Sequence, residues 1–533
     1  MSDKKDQNLH NNYHSSLGRR DFIKTSALAG MAGAAFSMGV PLTGLAQDAK
    51  PKSGGVLRLG LTGAGTGDSA DPGTWANVFI YTGFTGAFNT LVEMDVDGNA
   101  VPELAESWES SADAKTWTFK IRQGVTFHNG KAMDADDVVA SLNHHRGEDS
   151  KSAAKSVLAN VADIKAKGKD SITIELIGGN VGFPYILTDY HLVIMPAKEG
   201  IADWQSMVGT GGYEITSFEP GVRLAMTRYK DYWKPGRAHF DGAEVIAIAD
   251  SAARINALVT GEVDIIDNVD LKAADLLKRN QKVTVEENKG SWQFLFPMRC
   301  NAEPFKDNNV RLALKYGIDR EAILKKVLRG YGTIGNDHPI PATDPFYNSD
   351  LPQRPYDPDK SRFYLGKAGL DTLNVKLQVA DTAFAGAVDA AILFQNSAKK
   401  GGIDLNVSRE PDDGYWTNVW NKQPFTASNL FNRPTPDQVY SLAYAKGAAW
   451  NDTVWENKRF NSLLLNARVE QDKVLRQEMY HEMQQLVHDD GGSIIPVFAS
   501  SITARSNKVV HDSKTTSFAI LDGLRVIERW WMA

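Results

Sequence analysis

The sequence predicts an α/β protein with two principal lobes, on three observations. The chain runs to 533 residues, past the size at which one hydrophobic core keeps growing. Stretches that alternate with the period of a strand are interspersed with stretches of helical period, in an order that never repeats. That is the pattern of a mixed sheet with helices packed on it. No internal repeat and no low-complexity tract breaks this order, which sets aside solenoids and disordered arrays.

The elements follow in order. Residues 47–54 read as a leader, and Val56–Leu61 alternates as a first strand. A Gly-rich loop ends at Asp71-Pro72-Gly73, and Thr90–Met94 is a strand closed by an Asp-Gly turn over Asp95–Asn99. Thr116–Arg122 alternates strictly and Asn129-Gly130 turns the chain. Asp134 then caps a helix, with Asp136 and Asp137 favourable in its first turn. Strands follow at Ser171–Leu176 and Val222–Thr227, and a helix over Ala252–Val259 stops at Gly261. One long amphipathic helix is expected over Val310–Leu328, ending at Gly330. A Pro-rich connector spans Pro339–Pro358. Strands near 373–380 and 403–409 bracket a helix at 385–400, a further long helix is expected at 458–490, and Gly523–Met532 reads as a last strand.

Composition narrows the function. Hydrophobic residues make up 42% and charged residues 23% of the chain, as in an ordinary globular protein. The net charge is -6 and no basic run stands out in the body of the chain, which argues against nucleic acid as a partner. Cys300 is the one cysteine, so no internal disulfide forms, and its apolar surroundings predict a buried, inert thiol. Residues 18–24 carry paired arginines, and a weakly apolar, Gly-rich stretch with small residues at Gly44 and Ala46 follows. These features read as a twin-arginine signal peptide over residues 1–46, so the mature protein is expected in the periplasm. His481-Glu482-Met483-Gln484-Gln485 lacks the second zinc His, and Gly63–Gly67 lacks dinucleotide spacing. No nucleophile elbow is present, and no enzyme activity, cofactor or metal is expected. The adjacent pair His144-His145 reads as a solvated helix end.

Several ordered stretches carry a resemblance. They are Val101–Glu109, running into Thr116–Gly130 and on to Asp136–Val139; Gly209–Tyr213; Tyr229–Trp233; Ala257–Asp264; Pro304–Asp307; and Val310–Leu314, ending at Ile318-Asp319-Arg320. Together they resemble the extracytoplasmic solute-binding proteins of the peptide and nickel importer class, family 5, over nearly the whole mature chain. The resemblance implies a two-lobed periplasmic-binding-protein type II fold, closing on its ligand like a clam, with an extra family-specific subdomain. The expected division is 47–300 for the first lobe with that subdomain, 301–505 for the second lobe, and 506–533 for a C-terminal return to the first. Trp108, Trp117, Phe119 and Val125 would pack a core, so the signature speaks mainly for the fold.

The binding site must be argued residue by residue. In peptide-binding relatives an Asp in a segment similar to Ser428–Asp437 takes the ligand's amino group. Here that position is Asn432, with Arg433 beside it. An amide cannot neutralise a buried ammonium, whereas Arg433 either grips a carboxylate in a two-pronged contact or serves as an ion-pair residue. Trp416, Trp420 and Trp450, with Asn451 beside the last, offer apolar walls and polar groups for a pocket, or simply core. The loop Asn336–Ile340 places Asp337 and His338 either at the cleft or in the turn itself.

The expected function is that of a periplasmic receptor that captures a short peptide or a carboxylate-bearing metabolite by lobe closure. Its partners would be the permease subunits of an ABC importer and, during export, the twin-arginine translocase. A sensor or chaperone-like binding module without transport is the alternative, and a secreted hydrolase a distant third.

Overall fold

The computed structural model describes residues 51–516 and 519–533, and the expected signal segment 1–46 lies outside them. Among these residues no helix is long and apolar enough to cross a membrane. The first-strand alternation is realised in β1, Val56–Leu61, where Leu57, Leu59 and Leu61 are fully buried. It sits within a nine-stranded sheet. The other strands are β2 (Tyr213–Glu219), β3 (Arg223–Arg228), β4 (Gly242–Ala247), β5 (Ile265–Ile266), β6 (Val283–Pro297), β7 (Gly332–Ile334), β8 (Ser428–Phe431) and β9 (Ser493–Ser506). Their spatial order is β2-β3-β4-β1-β5-β9-β6-β8, with β7 on β9. Only the β1–β4 and β1–β5 pairs are parallel.

Two strands carry the chain between lobes. β6 and β9 pair antiparallel from Val283↔Ser506 to Pro297↔Ser493. Their beginnings and ends lie in different cores: Val283 and Ala504 pack with β5, whereas Phe296 and Val497 pack with the second lobe. The ladder slips between Asn288↔Ser501 and Trp292↔Ala499. Gly290 adopts a left-handed φ of 73° in that bulge, a conformation glycine supplies without strain. A second slip, between Phe294 and Phe296, lies opposite Pro496, which has no N–H to give to a ladder.

The first lobe buries β1, Tyr213, Leu224 and Val245 together with Val509, Leu521, Val526, Ile527 and Trp530 from the end of the chain. A four-stranded antiparallel sheet of Ala105–Ser110, Thr116–Ile121, Ser171–Leu176 and Val161–Ala166 forms a separate core with Trp117, Phe119 and Val125. Beside it, Asp134 and Asp137 make a capping box for the helix Ala135–Asn143. In the second lobe, the parallel pair Leu373–Val379 and Ile403–Arg409 brackets the helix Ala387–Lys399, as the sequence indicates.

Three elements differ from expectation. The long helix over 310–328 is two, Asn308–Gly317 and Arg320–Lys326: Ile318 turns extended to enter the core, and Asp319 caps the second helix through Ala322 N. The helix at 458–490 is likewise split, into Lys458–Ala467 and Lys473–Asp490, with Asp472 capping the latter. The tail is not one strand. Short helices Ile520–Gly523 and Val526–Arg529 precede the two-residue strand Trp531–Met532.

A buried ionic cluster explains the turn at the tail. Arg525 reaches Glu103 with both guanidinium nitrogens, at 2.9 and 2.8 Å, and Glu528 at 3.1 Å. Arg529 pairs with Glu93 at 2.5 Å and with Asp522 at 3.0 Å. Lys234 pairs with Glu93 and, at 3.2 Å, with Glu528. The Glu93, Glu103 and Glu528 carboxylates lie close enough to hold a metal ion, but Lys234, Arg525 and Arg529 already balance their charge. A strand would set Arg525 and Arg529 about 13 Å apart, whereas one helical turn brings both to the cluster.

Candidate functional site

A cavity of about 310 Å³ opens between the two lobes. From the first lobe come Val96, Asp97 and Gly98 of the hairpin turn, where Asp95 Oδ1 accepts from the N–H groups of Asp97 and Asn99. Lys514 pairs with Asp97 and also lines it. The second lobe supplies Gln293 from β6, the connector from Pro339 to Pro345, and Asn432 and Arg433 just after β8. A second cavity, of about 360 Å³, lies against Lys234 and Arg529, whose charges are already taken up in the ionic cluster.

Asn432 and Arg433 do different things. The Asn432 amide donates to the carbonyl of Gly290, in the bulge, while its Oδ1 accepts from Gln293 Nε2 at 3.3 Å. Both ends are therefore used in holding the bulge beside the cavity. Arg433 is half-buried, and among the described residues no carboxylate lies within ion-pair distance of it. Its Nε is buried without a hydrogen-bond partner. Burial draws the guanidinium below its ordinary pKa, opposed by Asp189 and Tyr190.

The tryptophans form a chain of ring contacts that starts at Arg433, and none of them lines the cavity. Its guanidinium carbon lies 5.9 Å from the centre of the Trp450 ring, within reach of a cation–π contact. Trp450 meets Trp420 edge-on at 6.4 Å, and Trp420 meets Trp416 at 5.6 Å. Trp420 donates to Asp452 at 3.0 Å, and burial pushes that carboxyl up to about 6. Trp416 and Trp450 stay 39% and 43% exposed, so neither is spent on core packing.

Three other candidates face inward. Asp337 is fully buried, bonded by Arg320 at 2.7 Å through each oxygen, by Arg354 at 2.8 Å and by Ile495 N at 3.0 Å. The two guanidinium groups outweigh the cost of burial and hold its pKa far below the carboxylate range, so Asp337 ties the second lobe together. His338 is buried against Tyr347, and desolvation takes it down to about 3. Asn451 spends its side chain on Trp455 O at 2.9 Å and Thr453 Oγ1 at 3.0 Å, holding its own loop. The pair His144-His145 is also not a solvated helix end. His144 bonds Asp71 at 2.7 Å, and His145 is fully buried against Ser152 at 2.7 Å.

Two cavity residues escaped sequence reasoning. Gln293 stands alone as a polar residue in the apolar run Trp292–Pro297, and that isolation was the available signal. It is fully buried, with Oε1 unpartnered. Asp344 hides in the Pro-rich connector, where an Asp before Pro345 reads as an ordinary turn residue. Burial pushes its carboxyl up to about 7, against one backbone hydrogen bond from Phe346.

Residues 99–452 match the family of bacterial extracellular solute-binding proteins, family 5 Middle, and the chain belongs to that family. Di/tripeptide-binding protein 1 of Pseudomonas aeruginosa is 24% identical over 476 residues, covering 81% of this chain and 87% of the relative. Heme-binding protein A of Haemophilus influenzae is 28% identical over 310 residues, or 53% of this chain and 56% of that one. The periplasmic binding protein DppA of Helicobacter pylori, solved with the peptide STSA, superposes with a TM-score of 0.71. It is 22% identical, and the match covers 90% of this chain and 98% of that one.

Proposed function

We propose that this chain is the periplasmic receptor of an ABC importer and that it takes a small carboxylate-bearing solute, a short peptide or a non-peptide acid, into the cleft at Arg433. The observation that carries the reading is the half-buried Arg433 guanidinium, which faces the cavity with no carboxylate partner among the described residues. A desolvated cation with no carboxylate in contact, Asp189 acting on it only from a distance, is costly, and a ligand carboxylate relieves that cost by a two-pronged bond. The cavity volume stands at the low end of ligand pockets, roughly 300–1,000 Å³. That favours a compact solute of dipeptide size, in line with the di/tripeptide-binding relative, over a macrocycle.

Closure would turn on β6 and β9 at the Gly290 bulge, with the first lobe completed by residues beyond β9 and the ligand favouring the closed form. Trp450, Trp420 and Trp416 would line the approach to the cavity. The test is a thermal-shift screen of the mature protein against dipeptides, amino-acid derivatives and organic acids. A solute at about 1,000 times its dissociation constant should stabilise the fold by about 4.1 kcal/mol. Arg433→Ala should weaken a carboxylate ligand more than tenfold, and unchanged affinity would remove Arg433 from the site.

A further inference from the structure

We infer that Asp344 is the ammonium subsite of this cleft, so that the solute is a compact zwitterion held between Asp344 and Arg433. The inference rests on the reading of the interlobe cavity as the ligand site.

Three unused groups line the same cavity. Asp344 has no cation paired with it among the described residues, and its carboxylate accepts one hydrogen bond, from Phe346 N at 2.8 Å. Gln293 Nε2 donates to the carbonyl of Pro339 at 3.0 Å. A carbonyl can only accept, so that bond fixes the amide's orientation and leaves Oε1 as a buried, unpartnered acceptor. Arg433 is the unpartnered donor. Two spare acceptors and one spare cation match a molecule with an ammonium at one end and a carboxylate at the other. Asn432 is the poorer ammonium site, because its uncharged oxygen already accepts from Gln293 and its nitrogen is held by Gly290.

Protonation supplies an independent readout. The groups facing Asp344 are the phenols of Tyr185, Tyr440 and Tyr480 and, around the cavity, Arg433, Lys514 and Asp97. Burial holds the Asp344 carboxyl near neutrality, so binding an ammonium must drive off its proton. Zwitterion affinity should therefore rise roughly tenfold from pH 6 to pH 8.

The experiment is titration calorimetry on the mature protein with free L-dipeptides and ω-amino acids, each also as its N-acetyl and its C-terminal amide form. The expected result is that some zwitterion binds, that acetylation weakens it more than tenfold, and that Asp344→Asn erases both this difference and the pH dependence. The acetylation comparison uses the unaltered protein, so it stands even if the variant folds poorly. Binding of N-acetyl acids as tightly as the zwitterions, or binding of no zwitterion at all, would overturn the inference. Indifference to amidation would instead sink the carboxylate role of Arg433 and leave the ammonium subsite standing.

Discussion

The ionic cluster inside the first lobe and the cleft wall of the second lobe handle buried charge in opposite ways, although deeper in the second lobe Asp337 is matched by Arg320 and Arg354. In the first, Glu93, Glu103 and Glu528 are matched by Lys234, Arg525 and Arg529, and every charge has a partner inside the protein. On the second-lobe wall of the cleft, Arg433 and Asp344 sit in the same cavity with no ionic partner among the described residues. Matched charge fixes a structure, because removing one member strands another. Unmatched charge lowers the stability of the empty protein and offers it back to whatever solute completes the pairing.

The contrast can be broken most strongly at Arg525. Arg525→Ala leaves Glu103 buried and short of its cation, and should cost about 3–5 kcal/mol in urea unfolding. Its effect on solute affinity should be small, since the cluster is outside the cavity. Asp344→Asn should act in the opposite direction. The folded carboxyl is pushed up to about 7, above its unfolded value, so the empty protein loses stability from this group as pH rises from about 4 to about 7. The variant should match the natural protein at pH 4 and exceed it by up to about 4 kcal/mol at pH 8, read from urea midpoints. Arg433→Ala should change the stability of the empty protein by less than about 1 kcal/mol despite its burial, because no internal pair is lost. Trp416→Ala, at an exposed site, should stay within about 0.5 kcal/mol. For affinity the order is expected to reverse between the two regions: Arg433 and Asp344 dominate and Arg525 hardly registers. A large loss of solute binding in Arg525→Ala with an intact fold would dissolve the distinction.

The same contrast governs what the sequence discloses. The two-lobed α/β fold was legible because Leu57, Leu59 and Leu61, or Trp117 and Phe119, keep the period of their strands. β6 and β9 were not, since both faces of β9 are buried and Pro496 interrupts it. A strand buried on both sides has no alternation to show. The signature around Glu103 was visible as a motif. Its role as an ionic anchor was not, because its partner lies 422 residues away. At the cleft, Arg433 could be singled out beside a substituted acid, and the tryptophans by their clustering. Asp337 and Asn451 drew notice for the same polar character that the fold uses to tie loops together. Asp344 was hidden because nothing local distinguishes a turn aspartate from one buried by residues far away in the sequence, such as Tyr440 and Tyr480.

The separation of Glu103 from Arg525 has a bearing on the order of synthesis. A ribosome delivers Glu93 and Glu103 hundreds of residues before Arg525 and Arg529. Throughout that interval the carboxylates of the first lobe have only Lys234 for company, and the lobe cannot close its interior at acceptable cost. The first lobe is therefore expected to seal this part of its interior only after the tail has been made, and the second lobe likewise waits for Ile494 and Val497 of β9. A nascent chain stalled short of Arg525 would carry Glu93 and Glu103 with only Lys234 to balance them, so completing the cluster requires the end of the chain.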